Sequence, residues 1–303
     1  MAVSSVSFTG VDLSRLPPPN IVEALDFEMI LGAMLADLQA RDPTFTALVE
    51  SDPAYKILEV AAYRELLVRQ RVNDAVHAVM LAYATGADLD QIAANYGVGR
   101  FLITPADDTS IPPTPAVYES DDDLRVRTLL SLEAYTSAGS EGSYVFHALS
   151  ASADVKDVSA TSPEPGQVVV YVLSREGSGA ASIDLIATVQ AALNAEKVRP
   201  MTDHVTVLSA SILEYEITAE ITVYPGPDSG VVLAAAQEAA ARFAADKWRM
   251  GYDVTLSGIY AALHQPGVQN VALASPAADL VIGDGEAAYC TAIAITVASL
   301  PDV

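Results

Sequence analysis

The chain has 303 residues, enough for two or three domains at about 100–200 residues each, with cores large enough to fold without staples. Its 39 acidic against 16 basic residues leave a formal charge of −23, which repels polyphosphate and argues against a broad nucleic-acid or anionic-membrane surface. Apolar types at 51% against 18% charged exclude disorder, and one cysteine, Cys290, excludes an internal disulfide framework or a cysteine-built zinc cluster.

The first ten residues, MAVSSVSFTG, lack the cationic start and apolar run of a signal peptide. No uninterrupted apolar run approaches the ~18 residues that span a bilayer, so no membrane insertion is expected. Mean hydropathy is nonetheless +0.30. That surplus fits either a well-filled core or faces buried against partner subunits.

After an extended arm ending in Leu16-Pro17-Pro18-Pro19, Asp26 caps a predicted helix through about Ala40. Phe27, Ile30, Leu31, Met34, Leu35 and Leu38 fall at the spacing of one buried face. Asp52 caps the next, with Pro53 at its first position. This helix is expected to reach Thr85 and close on a left-handed Gly86. Two apolar stripes run along it: Leu58, Ala62, Leu66, Val72, Val76, Val79 and Tyr83, and the heptad-spaced Ile57, Ala61, Val68, Ala75 and Ala82. A helix apolar on two sides needs more than one packing partner, from its own chain or another. Lys56, Arg64, Arg69 and Arg71 concentrate basic charge on it, where an acidic surface would dock.

A third short helix, Asp88 to Tyr96, ends at Gly97. Pro105, Pro112, Pro113 and Pro115 then make Thr104–Val117 a linker or projecting loop. From Ser120 the pattern turns α/β. A helix opens on Asp121, Asp122 and Asp123, is broken by Gly139 and Gly142, and is followed by a second at Ser143–Leu149. Val168–Leu173 reads as a strand buried on both faces, Ser182 opens a helix with its stripe at Ile183, Ile186, Val189 and Leu193, and Val205–Leu208 is the next strand. Glu214–Tyr224 alternates, Tyr215, Ile217, Ala219, Ile221 and Val223 against Glu214, Glu216 and Glu220, which predicts one wet face and antiparallel pairing. A Pro225-Gly226-Pro227 turn, an Ala-rich helix to Trp248, a helix at Leu256–Leu263 and a strand near Val268–Ala274 complete the order.

Catalytic signatures are weak. His77, His147, His204 and His264 stand singly, with no partner at metal-ligand spacing. Gly283-Asp284-Gly285 follows an apolar run but leaves no room for a dinucleotide-binding unit, so it reads as a turn. Asp121–Asp123 fit a helix start, and Cys290 a small apolar residue. The carboxylate pair Glu214 and Glu216 is the one arrangement a hydrolase could use, and a solvated strand face accounts for period-2 charge better. A host-binding fibre would show repeats, and none is present.

Six blocks carry a resemblance: Leu16–Glu28, Lys56–Val98, Glu119–Tyr144, Pro165–Gly177, Val198–Ala210 and Tyr260–Cys290. In this order they resemble the baseplate J-like family of contractile phage tails and R-type bacteriocins. The resemblance implies a structural, non-enzymatic wedge subunit of the virion's tail baseplate, assembled in the bacterial host cytoplasm and needing no cofactor. It implies pairing with a second wedge protein of the gene I type through an N-terminal helical bundle. Further copies of the chain would close a ring beside hub or sheath-initiating proteins, and that ring would open on sheath contraction. By position, Leu58, Ala62, Leu66, Val72, Val76, Val79 and Tyr83 are the candidate partner-helix interface. The Pro-rich Thr104–Val117 and the last dozen residues depart from the family pattern.

The expected architecture is α+β and multidomain, an N-terminal helical region with a long helix followed by two α/β modules with small mixed sheets. Its divisions are an extended arm (1–25), a helical assembly region (26–100), a Pro-rich linker or insertion (101–118) and α/β domains at 119–210 and 211–303.

Overall fold

The computed structural model describes residues 13, 16–17, 19–45, 48–136, 139–226 and 228–298. The expectations for MAVSSVSFTG, Pro18, Pro227 and the final five residues lie outside them. The chain divides into two compact units. One is built from Val11–Gly99 with Asp121–Arg125, the other from Arg100–Ser120 and from Val126 onward.

The first unit is helical, with α1 (Phe27–Arg41), α2 (Pro53–Ala78) and α3 (Gly86–Asn95). Capping sets the first two starts as expected: the Asp26 carboxylate accepts from the Met29 N–H at 3.0 Å, and Asp52 from Ala54 at 3.1 Å. Ile30, Leu31 and Ala62 are buried where α1 crosses α2, flanked by Phe27, Met34, Leu35, Tyr55, Leu58 and Leu66. The expected end of the long helix is wrong. It stops at Ala78, giving a length of about 39 Å, and Gly86 (φ +53°) opens α3 instead of closing α2. The cause is distant in sequence. The Arg125 guanidinium donates to the carbonyls of Leu81 (2.8 Å) and Ala84 (2.9 Å), and the Asp121 carboxylate accepts from the Gly86 N–H at 3.1 Å. These partners satisfy backbone groups that a continuous helix would have used internally.

In the second unit, the Pro-rich segment is a hairpin: β1 (Leu102–Thr104) pairs antiparallel with β2 (Val117–Tyr118). The four prolines fall between the strands, and Asp107 and Thr114 exchange backbone hydrogen bonds of 2.9 and 3.0 Å. At its base a buried Glu119–Arg127 pair makes two 2.7 Å bonds, with the guanidinium 4.0 Å from the Phe101 ring centroid. A helix α4 (Asp121–Leu130) follows, its first five residues grouping with the helical unit, then a 3-10 turn and α5 (Glu141–Leu149). Ser140 caps α5, so Gly142 lies inside its first turn rather than breaking a helix. A Cβ there would sit 2.8 Å from the Glu133 side chain.

The first sheet has the order β3 (Val155–Thr161), β4 (Gln167–Ser174), β5 (His204–Ser209), antiparallel then parallel, with α6 (Ile183–Leu193) in the crossover. Val158, Val170 and Val172 pack against Tyr144, Ala148, Val189 and Leu193. Ile183, expected in the stripe of α6, is exposed, and Leu185 takes the inward place. Strand β3 has no counterpart in the sequence reading, because Lys156 and Asp157 hide its apolar residues.

Only Ala210 separates β5 from β6 (Ser211–Val223), the centre of a second sheet of order β7-β6-β8. Strand β7 (Val268–Ser275) is antiparallel to β6 and β8 (Glu286–Val297) parallel, so the antiparallel expectation holds on one edge only. Tyr215, Ile217, Ala219, Ile221 and Val223 are all buried, under Val232, Ala236 and Ala240 of α7 (Ser229–Lys247) and Ile259 and Leu263 of α8 (Leu256–Leu263). Leu173, Ala210, Met250 and Ala287 join the two sheets. There Gly285 lies so near Tyr171 that a Cβ would stand 2.9 Å from the ring, which is why the Gly283-Asp284-Gly285 turn carries glycine.

Candidate partner interface

The seven expected interface residues do not share one environment. Leu58, Ala62 and Leu66 are packed under α1 of the same chain, Ala62 completely, so they build the helical unit's own core. Tyr83 lies beyond the end of α2, stacks on His77 with centroids 4.9 Å apart and donates its hydroxyl to the Leu16 carbonyl at 2.6 Å. Val76 is half-buried, while Val72 and Val79 remain 50% and 75% exposed.

The second stripe meets a different fate. Ile57 is 69% and Val68 64% exposed, and Ala75 is exposed beside them. At 3.6 residues per turn these three share one face with Ala61, Val72 and Val79, and Val60 flanks it. The helix thus presents a row of aliphatic side chains to solvent over most of its length. Its opposite side is anchored: the buried Asn73 carboxamide donates to the Glu23 carbonyl (2.9 Å) and accepts from its N–H (3.1 Å), clamping the preceding arm. Sequence reading missed Asn73, because a polar residue in a helix normally signals the wet side. Arg69 bonds Glu65 at 2.6 Å and Glu23 at 3.1 Å, and these carboxylates raise the guanidinium pKa further.

Glu214, Glu216 and Glu220 stand on the exposed face of β6. A cavity of about 260 Å³ holds Tyr144, whose hydroxyl donates to Asp203 at 2.6 Å. Burial and that carboxylate push the phenol pKa well above its ordinary value, so the group stays protonated. Among the described residues no group of three or more His, Cys, Asp and Glu side chains is placed to hold a metal ion. The half-buried Cys290 thiol donates to the Ala292 carbonyl at 3.4 Å, and burial raises its pKa, the opposite of an activated nucleophile. No helix among the described residues is long and apolar enough to cross a membrane.

Three family models match the chain in order: the Baseplate J-like N-terminal domain over residues 50–107, the Baseplate J-like central domain over 136–209, and the Baseplate J-like protein C-terminal domain over 215–296. The chain belongs to the baseplate J-like family. It is 51% identical over 288 residues to Baseplate protein J of Escherichia phage P2, covering 93% of this chain and 95% of that protein. Among solved structures, a chain of the anti-feeding prophage baseplate (cryo-EM, 6-fold symmetrised) aligns with 88% of this chain at 10% identity and a TM-score of 0.30. This chain spans 53% of that one. As a baseplate J-like protein the chain is a structural component of the tail baseplate.

Proposed function

We propose that this baseplate protein is a wedge subunit. In this reading the outward face of α2 completes a helical bundle with a second wedge protein of the gene I type. Further copies of the chain, next to hub or sheath-initiating proteins, form a ring that opens when the sheath contracts. The supporting observation is the solvent-facing row Ile57, Val60, Val68 and Val72 on a capped helix whose other side is already packed, continued by Val79 at its C-cap. At about 1.5–3 kcal/mol per fully covered aliphatic side chain, five residues that are already partly covered yield roughly 5–10 kcal/mol. That is of the order of the cost of bringing two proteins together, about 4–15 kcal/mol. The interface residues proposed are therefore Val72 and Val79 of the original stripe, joined by the face centred on Ile57 and Val68.

Ring contacts that must hold and then release call for smaller, more polar surfaces than the bundle. The exposed carboxylates of β6 are of that kind. Size-exclusion chromatography with light scattering, on the chain alone and co-expressed with the product of the adjacent tail gene, tests the reading. A stable hetero-complex with more than one copy of this chain per partner is the expected result. A monomer that ignores its neighbour overturns it.

A further inference from the structure

We infer that the helix docking on α2 is acidic, with carboxylates at heptad spacing opposite Arg64 and Arg71, and that this face is built against pairing with a second copy of the chain. The inference deepens the wedge reading and rests on it.

Arg64 and Arg71 are seven residues apart and so lie on one line of the helix, the line that begins at Ile57. Ala61, Val68 and Ala75 form the neighbouring line. The two guanidinium groups therefore stand within the apolar face. Both residues are exposed, and neither enters an ion pair among the described residues. The other two cations of α2 are already engaged, Lys56 with Glu59 at 2.9 Å and Arg69 with Glu65 and Glu23. Of the acidic side chains on α2, Glu59 and Glu65 are used in those pairs, and Asp74 accepts from Gln70 at 2.7 Å. In a chain with a net charge of −23, two unpaired arginines at heptad spacing amid exposed aliphatic residues mark a surface complementary to acid.

Covering this face with a neutral helix would strip water from two cations and return nothing. A second α2 would be worse. Aligned parallel it sets each arginine against its own copy, and antiparallel it sets Arg64 against Arg71, like charges in either case. The aliphatic rows attract any helix; the arginines choose which one. Ala61 and Ala75 let a partner backbone come close enough for its carboxylates to reach them.

The probe is the product of the adjacent tail gene, with affinity measured against the intact chain and two double variants, Arg64→Glu/Arg71→Glu and Arg64→Met/Arg71→Met. All four substitutions are at exposed positions, and circular dichroism checks the helix. Charge reversal should weaken binding by about 100-fold or more. The methionine pair should lose less affinity, and should also lose most of the salt dependence that the intact chain shows. If the intact chain binds and the reversed variant binds equally well, or salt dependence is unchanged in the methionine pair, the inference falls while the wedge reading stands. A concentration-dependent homodimer that Ile57→Asp/Val68→Asp abolishes also overturns it. No binding by the intact chain removes the wedge reading, and the inference with it.

Discussion

Along β6, Tyr215, Ile217, Ala219, Ile221 and Val223 are buried by α7 and α8 of their own chain, whereas along α2 Ile57, Val68, Val72 and Val79 are half or more exposed. Both are clean apolar patterns at the right period for their element, and hydropathy does not separate them. The difference is supply. Strand β6 is followed in sequence by two helices whose apolar faces fit it, while the helical unit provides α1 for only one side of α2. An apolar stripe thus states that something must cover it, and only the packing states whether the chain itself does so.

Charges sharpen the same contrast. Arg127 is sealed in with Glu119 and Phe101, and Arg64 projects from α2. Arg127→Met strands the Glu119 carboxylate in the interior and should destabilise the second unit by about 3–5 kcal/mol in denaturant unfolding. Arg64→Met should change stability by less than about 0.5 kcal/mol. Equal losses would mean that the exposed arginine has a structural partner after all.

Next in size is the apolar comparison. Ile217→Ala removes fully buried methyl groups from β6 and should cost about 2–4 kcal/mol by the same measurement. Leu66→Ala, half-buried under α1, should cost about 1–2 kcal/mol, and Val68→Ala less than about 0.5 kcal/mol. Only the last should weaken binding of the neighbouring tail-gene product while leaving the melting temperature in place. A large stability loss from Val68→Ala would place that residue inside the fold and break the distinction.

The smallest effect concerns His147 on α5, whose pKa burial lowers from the ordinary 6.5. Below pH 6.5 the unfolded chain binds the proton more readily than the folded one, so stability declines as pH falls from 6.5 toward the lower native pKa. His147→Gln should flatten that part of a stability–pH curve measured by thermal melting. An unchanged slope would assign the acid sensitivity to other groups.

Much of the fold was legible because local signals sufficed. Asp26, Asp52 and Ser182 mark helix starts through a single side-chain-to-backbone bond, and the alternation of β6 names all five of its inward residues. Failures occurred where a distant residue decided a local outcome. The end of α2 depends on Arg125 and Asp121, more than thirty positions away. Strand β3 exists because β4 offers it an antiparallel edge.

By itself, then, the sequence determined that the protein is acidic, built of helices and small mixed sheets, and equipped with a long helix apolar on two sides. Its blocks were also enough for the family resemblance that the comparisons established. Which side of that helix faces outward was decided only by tertiary structure. Both stripes are apolar, and which of their residues are covered depends on where α1 lies, a matter of long-range packing that no local pattern encodes.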